Sequence, residues 1–290
     1  MPHPGWSSFS FEGIGTQWDI ATQDPLTPEV QGHLLSTVED YDRTYSRFRA
    51  DSAVSALARE AGTVVLPAHA VALQGVYASL YRLTDGAMTP LVGGSLERLG
   101  YDSSYTLAPH GAPAPASRWE DVLEWTGTNL GALEPLVFDI GAAGKGQLVD
   151  LLGDVLRSAG HREFLVDGSG DMLHAGSRPV TVALEHPYDA RQAIGTVELQ
   201  NGALCASASN RRAWGDGLHH VLDGRTGRPI QTTVATWTRA STALVADALA
   251  TALFMAEPAR LESGFEFSWL RVSSDGTFSR SKDFEGKLFT

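Results

Sequence analysis

Ser241–Met255, STALVADALATALFM, is a helical run in which one charge, Asp247, stands among apolar and small residues. A stretch of that character packs inside a protein. Left there without a partner, the carboxylate would cost roughly several kcal/mol, so it must meet a cation, a cluster of donors or a cavity. Thr251 lies four residues on, one turn along the same face. Together the carboxylate and the hydroxyl suit a hard cation such as Mg²⁺, which takes oxygen ligands. The alternative arrangement has Asp247 capping a neighbouring segment and Thr251 bonding back to its own helix.

The rest of the chain must build a core around this run, and 290 residues with 43% hydrophobic and 19% charged content suffice for one. Alternation predicts strands at Gln17 to Ala21, Glu163 to Val166, Thr181 to Leu184, Gly195 to Leu199 and Val234 to Arg239. Thr27 and Pro28 open a helix expected to run to about Arg47. Two more apolar periods, Val71 to Leu83 and Leu148 to Leu156, stop before Gly86 and Gly160. The Pro- and Ala-rich segment Tyr105 to Ser117 is expected to be a surface excursion rather than a linker. The expectation is a single α+β unit over residues 1–290, two-lobed, with mixed or antiparallel sheets and packed helices.

A formal charge of −12 and a pI near 5.1, without clustered Lys and Arg, exclude a nucleic-acid surface. Cys205 is the only cysteine, which excludes an intrachain disulfide and a thiolate metal cluster. Met1 to Trp18 has no basic stretch followed by an apolar one, and no later run approaches a membrane span of about 20 apolar residues. A cytoplasmic location is expected on that basis. An anionic ligand of so acidic a chain would need local help.

Two further segments carry chemistry. In Val137–Asp150, VFDIGAAGKGQLVD, an apolar strand runs into a small-residue loop and then a helix. Gly141, Gly144 and Gly146 leave room for close approach, amides at a helix start favour anions, and Lys145 adds a point charge suited to phosphate. A Gly-rich strand-to-helix turn with no ligand would look the same. In Leu218–Pro229, LHHVLDGRTGRP, His220 could act near neutral pH as a base or donor, and Arg225 could hold Asp223 or a phosphate. A salt-bridged turn with one exposed histidine is the plainer alternative.

Taken in order, these segments resemble the signature blocks of the FAD:protein FMN transferase (ApbE) family. Ile14, Gly15 and Thr16 resemble its opening Met-Gly-Thr, and Ser46, Phe48, Asp51 and Ser52 its Ser-x-aromatic and Asp-Ser block. TDGAMTP, Thr84 to Pro90, is similar to Thr-Asp-Gly-Ala-Phe-Asp-Pro, and DIGAAGKG, Asp139 to Gly146, to Asp-Leu-Gly-Gly-Ile-Ala-Lys-Gly. VDGSGD, Val166 to Asp171, fits the strand and turn that follow. HHVLDGRTG, His219 to Gly227, resembles His-Ile-Ile-Asp-Pro-Arg-Thr-Gly, and ADALAT, Ala246 to Thr251, matches the closing block letter for letter. Gly224 stands where the family has Pro, Met88 and Thr89 where it has Phe-Asp, Gly144 where it has Ala, and Ala53 where it has an acid.

The resemblance implies an enzyme that binds FAD with Mg²⁺, cleaves its pyrophosphate, and joins FMN by a phosphoester to a Thr or Ser of an acceptor flavoprotein, releasing AMP. It implies that Asp247 and Thr251 hold the metal by side-chain oxygens and Ala142 by its backbone carbonyl. Asp139 and Lys145 would line the FAD site. Ile14, Phe48, Ala87, Met88, Thr89 and Leu222 fall at flavin or adenine contacts, with Phe48 offering a stacking face. His220 would serve as general base for the acceptor hydroxyl. An FAD pyrophosphatase yielding FMN and AMP, a flavin-binding protein without turnover, and a partner-binding protein are the rival readings.

Overall fold

The computed structural model describes residues 5–289, so Met1 to Pro4, the first residues of the segment read as lacking a leader, lie outside the described residues. An eight-stranded sheet organises them: β1 (Ser7–Gly13), β2 (Thr16–Thr22), β3 (Phe164–Asp167), β4 (Asp171–Ala175), β5 (Gly202–Ala208), β6 (Thr233–Ala240), β7 (Ser268–Ser273) and β8 (Phe278–Arg280). The strands lie side by side in chain order, each antiparallel to the next. Long excursions between neighbouring strands therefore leave and re-enter one continuous meander.

The four longest helices of those excursions are α1 (Pro28–Tyr45), α2 (Ala70–Leu83), α3 (Gly144–Ser158) and α4 (Ala243–Ala252). The Thr27 hydroxyl caps α1 by accepting from Val30 N at 3.3 Å. The helix ends two residues short of the expected Arg47, because Ser46 leaves helical geometry and Arg47 turns its side chain to Asp139. α2 and α3 close on left-handed residues, Gly86 (φ +83°) and Gly160 (φ +90°), with Gly86 N donating to Tyr81 O and His161 N to Leu156 O.

Alternation along the sheet sorts side chains into two cores. Trp18, Ile20, Ala203 and Cys205 face the helices, whereas Ala21, Leu204, Ala235 and Trp237 face a smaller sheet formed by Val180–His186, Asp189–Leu199 and Gly286–Leu288. A second small sheet, Gly62–Val65, Leu123–Thr126 and Asn129–Ala132, joins the helix-side core through Leu123, Trp125 and Leu130. These three sheets, and two two-stranded ribbons at 213–219 and 222–229, pair antiparallel, and the architecture is α+β.

The five expected strands are present, each extended by one to six residues at an end or shifted by one. Others, β5 among them, carry small residues buried on both faces and give no alternation to follow. Among the described residues no helix is long and apolar enough to cross a membrane.

α4 is the most enclosed of the helices. Leu249 and Leu253 are wholly buried, each worth about 1.5–3 kcal/mol against exposure. On the sheet beneath, Thr236 and Thr238 are also wholly buried, and their hydroxyls donate to Ala250 O and Ala246 O at 2.6 and 2.5 Å. A buried hydroxyl needs such a partner, so the pair fixes where α4 lies on the sheet.

Candidate active site

A cavity of about 920 Å³ is lined by all twelve residues that the family resemblance assigns to the metal, the flavin dinucleotide and the base. Its floor is the junction of α3 and α4. There Asp247, only 4% exposed, accepts a hydrogen bond from Gly146 N at 2.9 Å. That amide would otherwise bond to the Ala142 carbonyl, four residues back in a regular helical turn, and no such bond forms. Ala142 lines the cavity, and its carbonyl lacks the helical partner it would otherwise have. Thr251, one turn beyond Asp247, shares a 3.1 Å hydrogen bond with the Ser207 hydroxyl at the end of β5.

Burial drives the Asp247 carboxyl well above the usual carboxylate range, and Asp171 pushes it further, against the pull of Lys145 and the Gly146 amide. Among the described residues no three His, Cys, Asp or Glu side chains gather into a metal site. One carboxylate with one hydroxyl and one carbonyl is nonetheless a donor set that suits Mg²⁺, which keeps waters and takes substrate phosphate oxygens for the rest of its shell.

Gly141 and Gly144 line the cavity, but at Gly144 and Gly146 the space a side chain would take is already filled by the protein. A Cβ on Gly146 would lie 2.1 Å from Ala243 O and 2.6 Å from Asp247 Cβ, so its space is filled by α4 and not by a ligand. Gly144 is likewise filled by the Ile140 side chain, 2.9 Å from where its Cβ would be. Asp150 completes the junction by accepting from Ala243 N and Leu244 N at 2.8 and 2.9 Å, at the start of α4.

Lys145 does not stand free as a phosphate cation. It is ion-paired with Asp171, a carboxylate with no exposed side-chain surface, and lies 3.5 Å from Gly168 O. Burial alone would lower the ammonium, but Asp171 and Asp247 outweigh it and hold its pKa above the ordinary value. Asp139 is also paired: Oδ1 accepts from Gly141 N at 2.7 Å and Oδ2 from Arg47 Nε at 2.5 Å. Arg47 does not stand out in the sequence, and Asp171 enters only as the end of the VDGSGD block, with nothing to mark it as the partner of Lys145. Their signal would be the need of a buried Lys and a buried Asp for opposite charge, without any indication of which residue supplies it.

The histidine pair divides its work. His219 is buried, its Nε2 lying 3.0 Å from Ile230 O and its Nδ1 accepting from Val221 N. His220 faces the cavity with Nδ1 buried and unpartnered. Its pKa is lowered to about 3 by burial first, then by Arg212, His219 and Lys145, so it is neutral at neutral pH rather than partly protonated as an exposed histidine would be. Arg225 grips Asp223 through Nε and Nη2, at 2.9 and 2.6 Å, and lies outside the cavity lining.

Two hairpin turns at the sheet edge supply Ile14 and Ser169. Ile14 spans β1 and β2 at φ +45° beside Gly15 at φ +74°. A β-branched residue in that region is strained, and such strain concentrates at working sites. Ser169, at φ +56°, ties the two turns by donating to Gln17 O and accepting from the Thr16 hydroxyl. Ala87, Met88, Thr89 and Leu222 form a buried apolar wall. Within it Gly224 N donates to Ala87 O at 2.8 Å, a bond proline cannot make, and a Cβ on Gly224 would lie 2.6 Å from Thr89 Cγ2. Gly224 and Thr89, two of the departures from the block pattern, are thus neighbours in space.

The rim is aromatic. Phe48 stacks on Tyr105, ring centroids 5.1 Å apart and planes at 8°, and the Arg47 guanidinium lies 4.1 Å from its centroid. The stacking surface that Phe48 offers in the sequence is therefore already engaged within the protein. The segment from Tyr105 to Ser117 lies at the surface as expected, and it is tethered there: Ala116 N donates to Gly224 O, the Ser95 hydroxyl donates to Ala114 O, and Ala114 packs on Gly227. It is a strap seated on the turn after His220.

A profile of the ApbE family matches residues 14–267. Over 226 residues, 71% of this chain, the sequence is 30% identical to the FAD:protein FMN transferase of Rhodobacter capsulatus, and the match spans 42% of that protein's length. It is 28% identical to the FAD:protein FMN transferase of Vibrio cholerae over 257 residues, 81% of this chain and 75% of the relative. The fold is that of the ApbE protein of Thermotoga maritima, with a TM-score of 0.84 at 22% identity over 97% of this chain and 98% of that one. Pseudomonas stutzeri flavinyl transferase ApbE superposes with a TM-score of 0.80 at 22% identity, over 97% of this chain and 96% of that one. With the profile covering most of the chain and the same blocks converging on one cavity, this protein belongs to the ApbE family.

Proposed function

We propose that this chain is a Mg²⁺-dependent FAD:protein FMN transferase, which moves the FMN half of FAD onto a Thr or Ser hydroxyl of an acceptor protein and releases AMP. The observation that carries this reading is the buried Asp247 carboxylate, lining one cavity with Thr251, Ala142 and Lys145 in a chain of net charge −12. A pyrophosphate needs a cation in such a protein, and so does Asp247. One divalent ion meets both needs.

In the reaction the acceptor oxygen bonds to the FMN-side phosphorus, the P–O bond to the bridging oxygen breaks, and that oxygen leaves on AMP. Asp247, Thr251 and the Ala142 carbonyl would hold Mg²⁺, which when bound polarises phosphoryl oxygens and neutralises the leaving group. Lys145, held by Asp171, shapes the wall of the site at the start of α3. His220 takes the proton of the acceptor hydroxyl. Its neutral imidazole has the lone pair for this, and substrate phosphates placed beside it offset Arg212 and Lys145 and raise its proton affinity in the complex.

The test is to mix protein, FAD and Mg²⁺ with and without a Thr-bearing acceptor domain, following AMP by chromatography and the acceptor by mass. AMP that forms only with acceptor, with an acceptor heavier by one FMN phosphoester, is the expected result. AMP without acceptor would make the protein an FAD pyrophosphatase. Bound FAD without AMP under any divalent metal would reduce it to a flavin-binding protein.

A further inference from the structure

Five basic side chains line the cavity: Arg47, Arg49, Lys145, Arg211 and Arg212. Four of them are committed to carboxylates. Arg47 pairs with Asp139, Arg49 with Asp42 and Asp51, Lys145 with Asp171, and Arg211 with Glu185. Arg212 is half-buried and makes no ion pair among the described residues. Its guanidinium carbon lies 5.9 Å from the centroid of the Tyr101 ring, while its backbone hydrogen-bonds with His220.

An unpaired, partly buried guanidinium is costly in any protein. In one of net charge −12, with carboxylates on the same cavity wall, its solitude calls for a stated reason. Arg212 lies on the loop that follows β5, whose penultimate residue, Ser207, is bonded to Thr251. Tyr101 stacks on Trp214, centroids 5.6 Å apart, and Trp214 Nε1 donates to Leu99 O at 2.8 Å. The loop carrying Arg212 is thus pinned two residues further on, and its guanidinium stands on a fixed aromatic platform. His220 and Asp247 both feel its charge, which places it within electrostatic reach of both.

We infer that Arg212 is a substrate-binding residue that contacts the phosphate oxygens of the dinucleotide, supplying the positive charge that Lys145 has surrendered to Asp171. This rests on the reading of the cavity as an FAD site. A guanidinium binds phosphate oxygens through two parallel N–H bonds, and neither oxygen nor charge of that kind is offered to it by the protein. The division is economical: Lys145 and Asp171 are a neutral pair that shapes the site, and Arg212 answers the ligand's charge.

The experiment measures binding, not turnover. Dissociation constants for FAD and ADP, and for the phosphate-free riboflavin and adenosine, are determined by calorimetry on the unsubstituted protein, Arg212→Gln and Arg212→Lys, with and without Mg²⁺. Arg212→Gln is expected to weaken FAD and ADP at least tenfold while leaving riboflavin and adenosine within twofold, and Arg212→Lys to recover part of the loss. The phosphate-free ligands report whether the variant's pocket is intact. Equal weakening of all four ligands, or no change in any, would overturn the assignment. If the unsubstituted protein binds neither FAD nor ADP, the FAD reading of the cavity fails and Arg212's role falls with it. If it binds both and Arg212→Gln binds them equally well, Arg212 alone is wrong.

Discussion

The floor and the rim of the cavity are built on different principles. The floor is two helices in backbone contact, with α4 so close to α3 at Gly146 that no side chain fits between them. Asp150 at its start, and Thr236 and Thr238 from the sheet, hold α4 by hydrogen bonds, and nine of its ten residues are buried. The rim is a strap and a set of rings: Tyr105 is 51% exposed, Leu107 is 44% exposed, and both sit at φ +50°. A floor made of backbone contacts keeps donors in place when the ligand is absent. A rim made of half-exposed rings can follow whatever the ligand brings.

The largest effect should come from pushing the two helices of the floor apart. Gly146→Ala puts a methyl 2.1 Å from Ala243 O, a backbone atom that cannot rotate away. We expect a loss of at least about 3 kcal/mol in denaturant unfolding, or no folded protein at all. Gly32→Ala in α1 is the matched control, because its Cβ would meet nothing within 4 Å. There the better helix propensity of alanine should stabilise by about 0.5–1 kcal/mol. Equal tolerance of the two would show that the floor yields, and the contrast with the rim would be lost.

Next in size is the removal of charge without removal of shape. Asp247→Asn keeps an oxygen for the Gly146 amide and deletes a buried carboxylate that has no paired cation in direct contact. Its melting temperature without metal should equal or exceed that of the unsubstituted protein, since an unpaired buried charge is costly. The stabilisation gained from Mg²⁺ with FAD should vanish, and turnover should fall at least about a hundredfold. Retained turnover would strip Asp247 of its metal. A large drop in melting temperature would instead make it a structural cap, the alternative that the sequence left open.

How much of this was open to reading from sequence depends on whether the governing rule is local. Asp247 declares itself because one charge in an apolar run is costly wherever the run packs, and Thr251 follows by helical spacing. Pro28, Gly86 and Gly160 mark helix ends by their own backbone preferences. Gly146 misleads, since a missing side chain looks the same whether it makes room for a ligand or for another helix. Arg47 pairs with a carboxylate 92 residues away and Lys145 with one 26 residues away, and no pattern within either segment announces the partner. The strap and the low pKa of His220 have the same origin, because both depend on what the fold places beside them.

The smallest effect tests the rim. Tyr105→Ala deletes a ring that stacks on Phe48 and meets Tyr101 edge-on at 5.6 Å, contacts worth about 0.5–1.5 kcal/mol per pair at most. Because the ring is half exposed, the truncation should leave stability to unfolding within about 0.5 kcal/mol. The strap stays seated through Ala116 and Ala114, so the change is confined to its tip. If the rim only receives the ligand, KM for FAD should rise by no more than about tenfold and kcat should change by less than about twofold, the signature of binding lost equally from ground and transition states. A fall in kcat with KM unchanged would mean that Tyr105 helps to place reacting atoms, and the line between floor and rim would have to be redrawn through the strap. Stability lost on the scale of Gly146→Ala would move Tyr105 into the core. The division proposed here needs both quantities to stay small, because a rim able to follow its ligand cannot also be what holds the protein together.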